Sequence, residues 1–228
     1  MVPRGRDQRI LEIGTGRGAL TSELCRVTTR LEAFEIDPYN YETTKQLTKE
    51  HPWVDLKLAD VFEQEPEFDV VVSSLPYSES SRFVEWLSTK RYEKAIVILQ
   101  EDFVKKIMAK PGQKDYRAMS VVSQCSSNIE IVRRVYRSSF DPPPKVSSVL
   151  VVIRPRLKLS RDLIMTIKKV FSLRRRKIGV ALKILGMRCE LGYVERDKRV
   201  YQIDPDNLLE IARIQTLPAP SLDQSKSN

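Results

Sequence analysis

Ser74-Leu75-Pro76-Tyr77 sets a hydroxyl, a proline-fixed backbone and an aromatic ring directly behind an apolar run, Val70-Val71-Val72. The run predicts a short buried strand. Glu79 to Leu87 predicts a helix with Phe83, Val84 and Leu87 on one face. The four residues therefore fall in a loop at the carboxyl end of a strand, the edge where open α/β sheets bind ligands. Proline fixes its own φ and keeps residue 75 extended, with the Leu75 carbonyl available to accept a hydrogen bond. Tyr77 adds a flat face. These parts suit a planar base that carries an exocyclic amine. Taken alone, the four residues fit a strand end with a tight turn better.

A second cluster precedes them. Glu12-Ile13-Gly14-Thr15-Gly16-Arg17-Gly18 lies between a predicted strand, Arg9 to Ile13, and a predicted helix, Ala19 to Cys25. A glycine loop in that position lets backbone approach a ligand near the positive end of a helix dipole. The spacing is G-x-G-x-G, which is not the dinucleotide fingerprint; a glycine turn that packs a helix on a strand is the alternative. Glu35 follows Gly14 by 21 residues, in Glu35-Ile36-Asp37 at the end of a second strand, Leu31 to Ile36. An acid there can accept both hydroxyls of a ribose, or it can simply face solvent. Asp60, in Ala59-Asp60-Val61 after a third strand at Val54 to Leu58, is placed to accept from an amine of a bound base; in isolation it would be a helix cap.

The elements that must position these groups can be traced along the chain. Tyr41 to His51 predicts a helix, Ala95 to Leu99 a very apolar and so central strand, and Gln100 to Met108 a further helix. Lys110 to Arg117 is a basic, turn-rich loop. Ser120 to Cys125 predicts helix, Ile129 to Tyr136 a strand, and Val149 to Ile153 a last strand after the break at Phe140 to Ser148. Seven strands with intervening helices predict an α/β sheet. Beyond Pro155 the pattern is helical. Leu163, Ile164, Ile167, Val170 and Phe171 follow Ser160 as an N-cap, and Asp204-Pro205 opens a last helix. The expected organisation is residues 1–155 as an α/β domain and 156–228 as a small helical one, with a disordered tail from Leu217.

Charge divides along the same line. Residues 156–228 hold 16 Lys and Arg against 8 Asp and Glu, a net of +8, whereas residues 1–155 net only +1. The helical part is therefore the candidate for meeting a polyanion. Its centre is Arg174-Arg175-Arg176-Lys177. The three cysteines, Cys25, Cys125 and Cys189, are far apart and odd in number, which argues against a disulfide framework and for a reducing compartment. One histidine and no cysteine pair at ligand spacing argue against a structural zinc. No transmembrane run or secretory leader pattern is present, and a cytoplasmic location is expected.

Read together, these residues resemble the ribosomal small-subunit RNA adenine N6,N6-dimethyltransferases and, more distantly, the erythromycin-resistance rRNA methyltransferases. The likeness runs from about Ile10 to about Ile214. It rests on Leu99-Gln100-Glu101-Asp102-Phe103 with Ala109-Lys110-Pro111-Gly112-Gln113-Lys114-Asp115-Tyr116, on Phe140-x-Pro142-x-Pro144-Lys145-Val146-x-Ser148, and on Phe171-Ser172-x-Arg174-Arg175. The glycine loop, by contrast, is a general feature of class I methyltransferases that use S-adenosylmethionine. The resemblance implies a class I α/β fold with a seven-stranded Rossmann-like sheet and a small C-terminal helical domain. It implies that S-adenosylmethionine is the donor, S-adenosylhomocysteine the product, and that no metal takes part. Glu12, Gly14, Thr15, Gly16 and Gly18 would hold the methionine part, Glu35 and Ile36 the ribose, and Asp60 and Val61 the adenine, with Ser74 at the junction with the target. Ser74, Leu75, Pro76, Tyr77 and Phe140 would hold the target adenine, and Lys114, Lys145 and Arg174 to Lys177 the RNA. The implied partner is small-subunit rRNA in a pre-30S-type particle, met by a monomer.

Two departures stand out. The family motif begins with Asn, and this chain has Ser74. The family also carries a segment before the first strand that helps to cover the cofactor, and only about eight residues precede that strand here. These departures support a competing expectation, a non-catalytic ribosome-assembly factor on a methyltransferase scaffold. A small-molecule methyltransferase is a third reading, opposed by the basic helical part and the paired aromatics.

Overall fold

The computed structural model describes residues 8–140, 142–187 and 196–216. Cys189, Asp141 and the tail from Leu217 lie outside the described residues. Seven strands form one sheet: β1 (Ile10–Ile13), β2 (Leu31–Glu35), β3 (Val54–Leu58), β4 (Val70–Ser73), β5 (Lys94–Gln100), β6 (Ser127–Val135) and β7 (Ser148–Pro155). Their order is β3-β2-β1-β4-β5-β7-β6. The first five are parallel, and β7 runs antiparallel between β5 and β6. Chain order runs outward from β1 to β3 on one side and from β4 to β5 on the other, where β7 then inserts between β5 and β6. Ile13 is in register with Phe34 on β2 and with Ser73 on β4. Reversal of chain order opens a crevice at the carboxyl ends of β1 and β4.

Helices α1 (Ala19–Cys25), α2 (Pro38–Leu47), α3 (Ser80–Ser88), α4 (Glu101–Ile107) and α5 (Ala118–Ser126) accompany the sheet. Leu24 and Cys25 of α1 pack on one face with Ile10, Leu31 and Val70. Phe83, Trp86 and Leu87 of α3 and Val104 and Ile107 of α4 pack on the other with Leu11, Val71 and Val97. The very apolar run of β5 is central, as its composition predicts. Helix α2 begins three residues earlier than the periodicity suggests. Asp37 caps it by accepting from the Asn40 amide at 2.9 Å, and Pro38 takes the first helical position, where a missing N–H costs nothing.

The helical part comprises α6 (Arg161–Ser172), α7 (Ile178–Ile184) and α8 (Pro205–Thr216). Ser160 caps α6 by accepting from the Leu163 amide, and Asp204 accepts from the Asn207 amide at the start of α8. Its core does not stop at Pro155. Tyr116, Val121, Val122 and Cys125 lie in the same buried cluster as Ile164, Ile167, Phe171, Leu208 and Ile211. Helix α5 thus belongs to both parts. The Tyr116 ring meets Phe171 edge-on at 5.5 Å, and its hydroxyl donates to the Ile203 carbonyl at 2.9 Å. The thiol of Cys125 is pushed up to about 12 chiefly by burial, and Cys25 and Cys125 are both free and buried. No described helix is long and apolar enough to cross a membrane.

The Tyr116 bond gives a test of this shared core. Tyr116→Phe keeps the ring contact and leaves the buried Ile203 carbonyl unpaired, which should cost about 1–3 kcal/mol. Urea unfolding should show this as a lower midpoint with one unchanged cooperative transition.

Candidate active site

The crevice at the β1–β4 junction has a volume of about 420 Å³, and Gly14, Gly16, Glu35, Ile36, Asp60, Val61, Ser74, Leu75 and Pro76 line it. Residues that the sequence singles out in four separate stretches thus converge on one cleft. Asn40, Phe62, Glu79 and Arg82 also line it, and no sequence pattern marks them.

Glu35 organises the loop side. Its carboxylate is buried and accepts from the Gly16 amide at 2.8 Å, the Ile36 amide at 2.8 Å and the Asp37 amide at 2.9 Å. The loop reaches it by left-handed turns at Gly14 (φ +72°) and Gly16 (φ +54°), and a Cβ at either glycine would project into open space. That space is what close backbone approach of a ligand requires. Thr15 is buried; its hydroxyl pairs with that of Thr44 on α2 at 3.0 Å. Gly18 is left-handed as well (φ +80°). It does not line the cleft, and a Cβ there would stand 2.4 Å from Leu47 Cδ1.

Glu12 sits beneath the loop, wholly buried, and neither carboxylate oxygen has a hydrogen-bond partner among the described residues. Burial pushes its carboxyl from the ordinary 4.5 up to about 7; the Thr21 hydroxyl beside it opposes the rise and the charge of Glu35 adds to it.

Asp60 caps the turn that follows, accepting from the Phe62 amide at 2.9 Å. Its other oxygen meets Arg82 Nη1 at 2.8 Å, and that guanidinium lies over the Phe62 ring at 4.7 Å. The acid expected to meet a base amine is therefore also an ion-pair partner of α3. Asp60 does keep lone pairs for a second donor.

At the β4 end Ser73 donates to the Ile13 carbonyl, fastening the two strands that frame the crevice. Ser74 is exposed, and neither its hydroxyl nor the Leu75 carbonyl has a hydrogen bond among the described residues. The Pro76 carbonyl is used by the Glu79 amide. Tyr77 is half-buried, with its hydroxyl held by Ser148 Oγ at 2.5 Å. Ser148 is the last residue of the Phe140–Ser148 motif, and this contact gives it a role that the sequence does not reveal. Tyr77 and Phe140 lie outside the 420 Å³ cleft itself. Phe140 is half-buried at the end of a short turn, Arg137–Ser139, that follows β6.

The basic residues separate into two kinds. Arg174 is half-buried, lies over Tyr201 at 5.6 Å and donates to the Lys114 carbonyl at 3.4 Å, so it fastens the 110–117 loop to the helical part. Arg175, Arg176 and Lys177 are exposed, and Lys177 pairs with Asp197 at 2.8 Å. Lys114 is exposed and Lys145 is exposed as well.

Crevice and sheet order define the class I methyltransferase architecture. A sequence profile of the family described as ribosomal RNA adenine dimethylase matches residues 3–216, and the chain belongs to that family. It is 35% identical to a probable ribosomal RNA small subunit methyltransferase A of Thermococcus gammatolerans, over 89% of this chain and 77% of that protein. A counterpart from Pyrococcus furiosus is 34% identical, over 89% and 80%. Among solved structures, the fold matches a dimethyladenosine transferase from Plasmodium falciparum with a TM-score of 0.74 at 22% identity, over 91% of this chain and 90% of that one. It matches the 23S rRNA methyltransferase ErmE with a TM-score of 0.63 at 24% identity, over 93% and 92%.

Glu12 yields a pH test. Between pH 4.5 and about 7 the folded protein holds a proton on Glu12 that the unfolded chain has released. Stability therefore falls as pH rises through that window. Glu12→Gln should remove the fall. Its stability relative to wild type should rise on the order of 3 kcal/mol from pH 4 to 8, measured by denaturant melts without ligand; a constant difference would show that Glu12 titrates normally.

Proposed function

We propose that this chain transfers methyl groups from S-adenosylmethionine to N6 of adenosines, two adjacent ones, in small-subunit rRNA within a pre-30S-type particle, acting as a monomer. The observation that carries the reading is the cleft at the β1–β4 junction. There Ser74 and Leu75, whose hydroxyl and carbonyl have no hydrogen bond among the described residues, line the same space as the glycine loop.

The residues present fit the donor. Open space before Gly14 and Gly16 admits a ligand against backbone. Glu35, with three acceptor sites taken by backbone amides, keeps one for a ribose hydroxyl; Asp60 offers one to an adenine amine, and Ile36 and Val61 offer apolar walls to a flat ring. Glu12, buried and unpartnered, would gain the compensating charge it lacks from an ammonium group held above the loop. When bound, S-adenosylmethionine supplies an electrophilic methyl group on a sulfonium centre.

The chain's own work is positioning. The exocyclic amine of adenine is a weak nucleophile because its lone pair is delocalised into the ring. Two acceptors that hold its two protons turn that lone pair out of conjugation and toward the methyl group. The Leu75 carbonyl and the Ser74 hydroxyl are those acceptors. No base has to act before attack, since the nitrogen becomes acidic only once alkylated and then releases its proton to water. Orientation of this kind supplies about 7–11 kcal/mol in favourable systems. Tyr77, its ring fixed through Ser148, and Phe140 hold the extruded base by stacking. Arg175, Arg176, Lys114 and Lys145 meet phosphates.

Ser74→Asn tests the acceptor. An amide reaches further than a hydroxyl, and the first methylation has two protons to hold where the second has one. The first step should accelerate by about one hydrogen bond, roughly 2- to 12-fold, in single-turnover transfer to bound rRNA that resolves mono- from dimethyl product. Tyr77→Ala and Phe140→Ala should abolish transfer. No turnover in any variant or in the wild type would return the reading to an assembly factor.

Salt dependence tests the RNA contact. Arg175→Ala with Arg176→Ala should flatten the log–log slope of affinity against salt by about 0.7–0.9 for each phosphate that is no longer neutralised. An unchanged slope would make both side chains bystanders.

A further inference from the structure

A surface groove of about 590 Å³ runs between α4, the 110–115 loop and the free edge of β6. Lys114 and Asp115 stand on its walls with Lys105, which pairs with Glu101 at 3.0 Å and Asp102 at 3.7 Å, and Met108 and Ile131, 40% and 46% exposed, form its apolar base. One end meets the helical part, where Arg174 donates to the Lys114 carbonyl. Beyond the groove, β6 continues from Ile131 toward the active-site edge of the sheet, since it runs in the same direction as β5.

The path along β6 depends on a bulge. Ile131 lies opposite Val151 and Arg134 opposite Val149, with one extra residue between them. That extra residue brings Arg134 to the face that Ile131 occupies, where it reaches Glu101 of α4 at 3.2 Å. Alternation then leads to Tyr136, whose backbone is extended (φ −69°, ψ 143°) and which is 80% exposed, the highest value among the exposed large hydrophobic residues described. Arg137 follows, exposed and without an ion pair among the described residues. Its carbonyl accepts from the Phe140 amide at 3.2 Å. Charged side chains and bulges also keep edge strands from pairing with other chains. That function accounts for Arg134 and the bulge, and it leaves Tyr136 unexplained.

We propose that the groove carries the single-stranded RNA that flanks the target adenosine, with Tyr136 stacking on a neighbouring base. Lys114 and Arg137 then meet its phosphates. A nucleic-acid strand needs alternating cations and flat rings along one track, and this track begins at the basic helical part and ends at Phe140. The inference rests on the methyl-transfer reading for its choice of ligand.

The test uses the full chain and a short rRNA oligonucleotide with 2-aminopurine beside the target adenosine. Wild type should quench the probe on binding. Tyr136→Ala should lose the quench and bind RNA about 5-fold or more weakly. Tyr136→Phe should restore both, and affinity for S-adenosylmethionine should be equal in all three. Wild-type affinity and quench in Tyr136→Ala would overturn the proposal, as would an equal loss in Tyr136→Phe, which keeps the ring. Binding is read without turnover. A wild type that binds and quenches but transfers no methyl group would sink the methyl-transfer reading and leave the groove standing. Normal methylation by Tyr136→Ala, with unchanged affinity and quench, would do the reverse.

Discussion

Three backbone amides converge on the carboxylate of Glu35, and the cleft depends on that convergence. A buried carboxylate is costly unless hydrogen bonds replace its water, and bonds from N–H to a charged acceptor are the strong kind. The amides of Ile36 and Asp37 set the exit from β2 and, through the Asp37 cap, the start of α2. The Gly16 amide ties the loop after β1 to the same group. Two strand ends and one helix are therefore fixed by a single side chain. The left-handed turns at Gly14 and Gly16 are the backbone path that lets the loop reach it.

Acids around the cleft differ in what surrounds them. Glu35 is surrounded by donors. Asp60 is divided between a backbone amide and the Arg82 guanidinium. Glu12 has neither, and burial holds its proton to about pH 7. Three carboxylates within a few residues of strand ends thus take three chemical characters: loop organiser, shared acceptor and buried acid. Residue type is the same throughout or nearly so; the environment makes the difference.

Much of this is legible in the chain. Apolar runs bounded by polar loops locate all seven strands, and cap residues locate α6 and α8. Glu35 stands out by its distance from the glycine loop, because strand and helix lengths in such a sheet are constrained, and Asp60 by its place directly after the third strand. Other features have no local signal. Asp37-Pro38 carries the same cap-then-proline chemistry as Asp204-Pro205, yet the apolar period around it is weak, and periodicity starts α2 too late. Gly18 reads like its neighbouring glycines and shares their left-handed backbone, and only the approach of Leu47 from another helix sets it apart from them. Arg82 and Ser148 act across long sequence gaps, on Asp60 and Tyr77, and pairings of that kind are visible only once the sheet is assembled. Arg174 reads as one of four equivalent cations; its position over Tyr201 sets it apart.

Helix α5 gives the molecule a property that neither part has alone. Its Val121, Val122 and Cys125 are core to the helical part while Met119 packs against the sheet-side core as well, Ser120 and Ser123 bind carbonyls at the end of α4, and Gly112 in the preceding loop donates to the Tyr201 carbonyl. Joined through this shared core, the exposed cations after α6 and the Ser74–Tyr77 turn stand at a set separation. On the proposed reading the molecule works as a ruler: where those cations meet phosphates, an adenosine enters the cleft only if its RNA places a phosphate ridge at that separation, and choice among many chemically identical adenosines becomes a measurement of RNA shape.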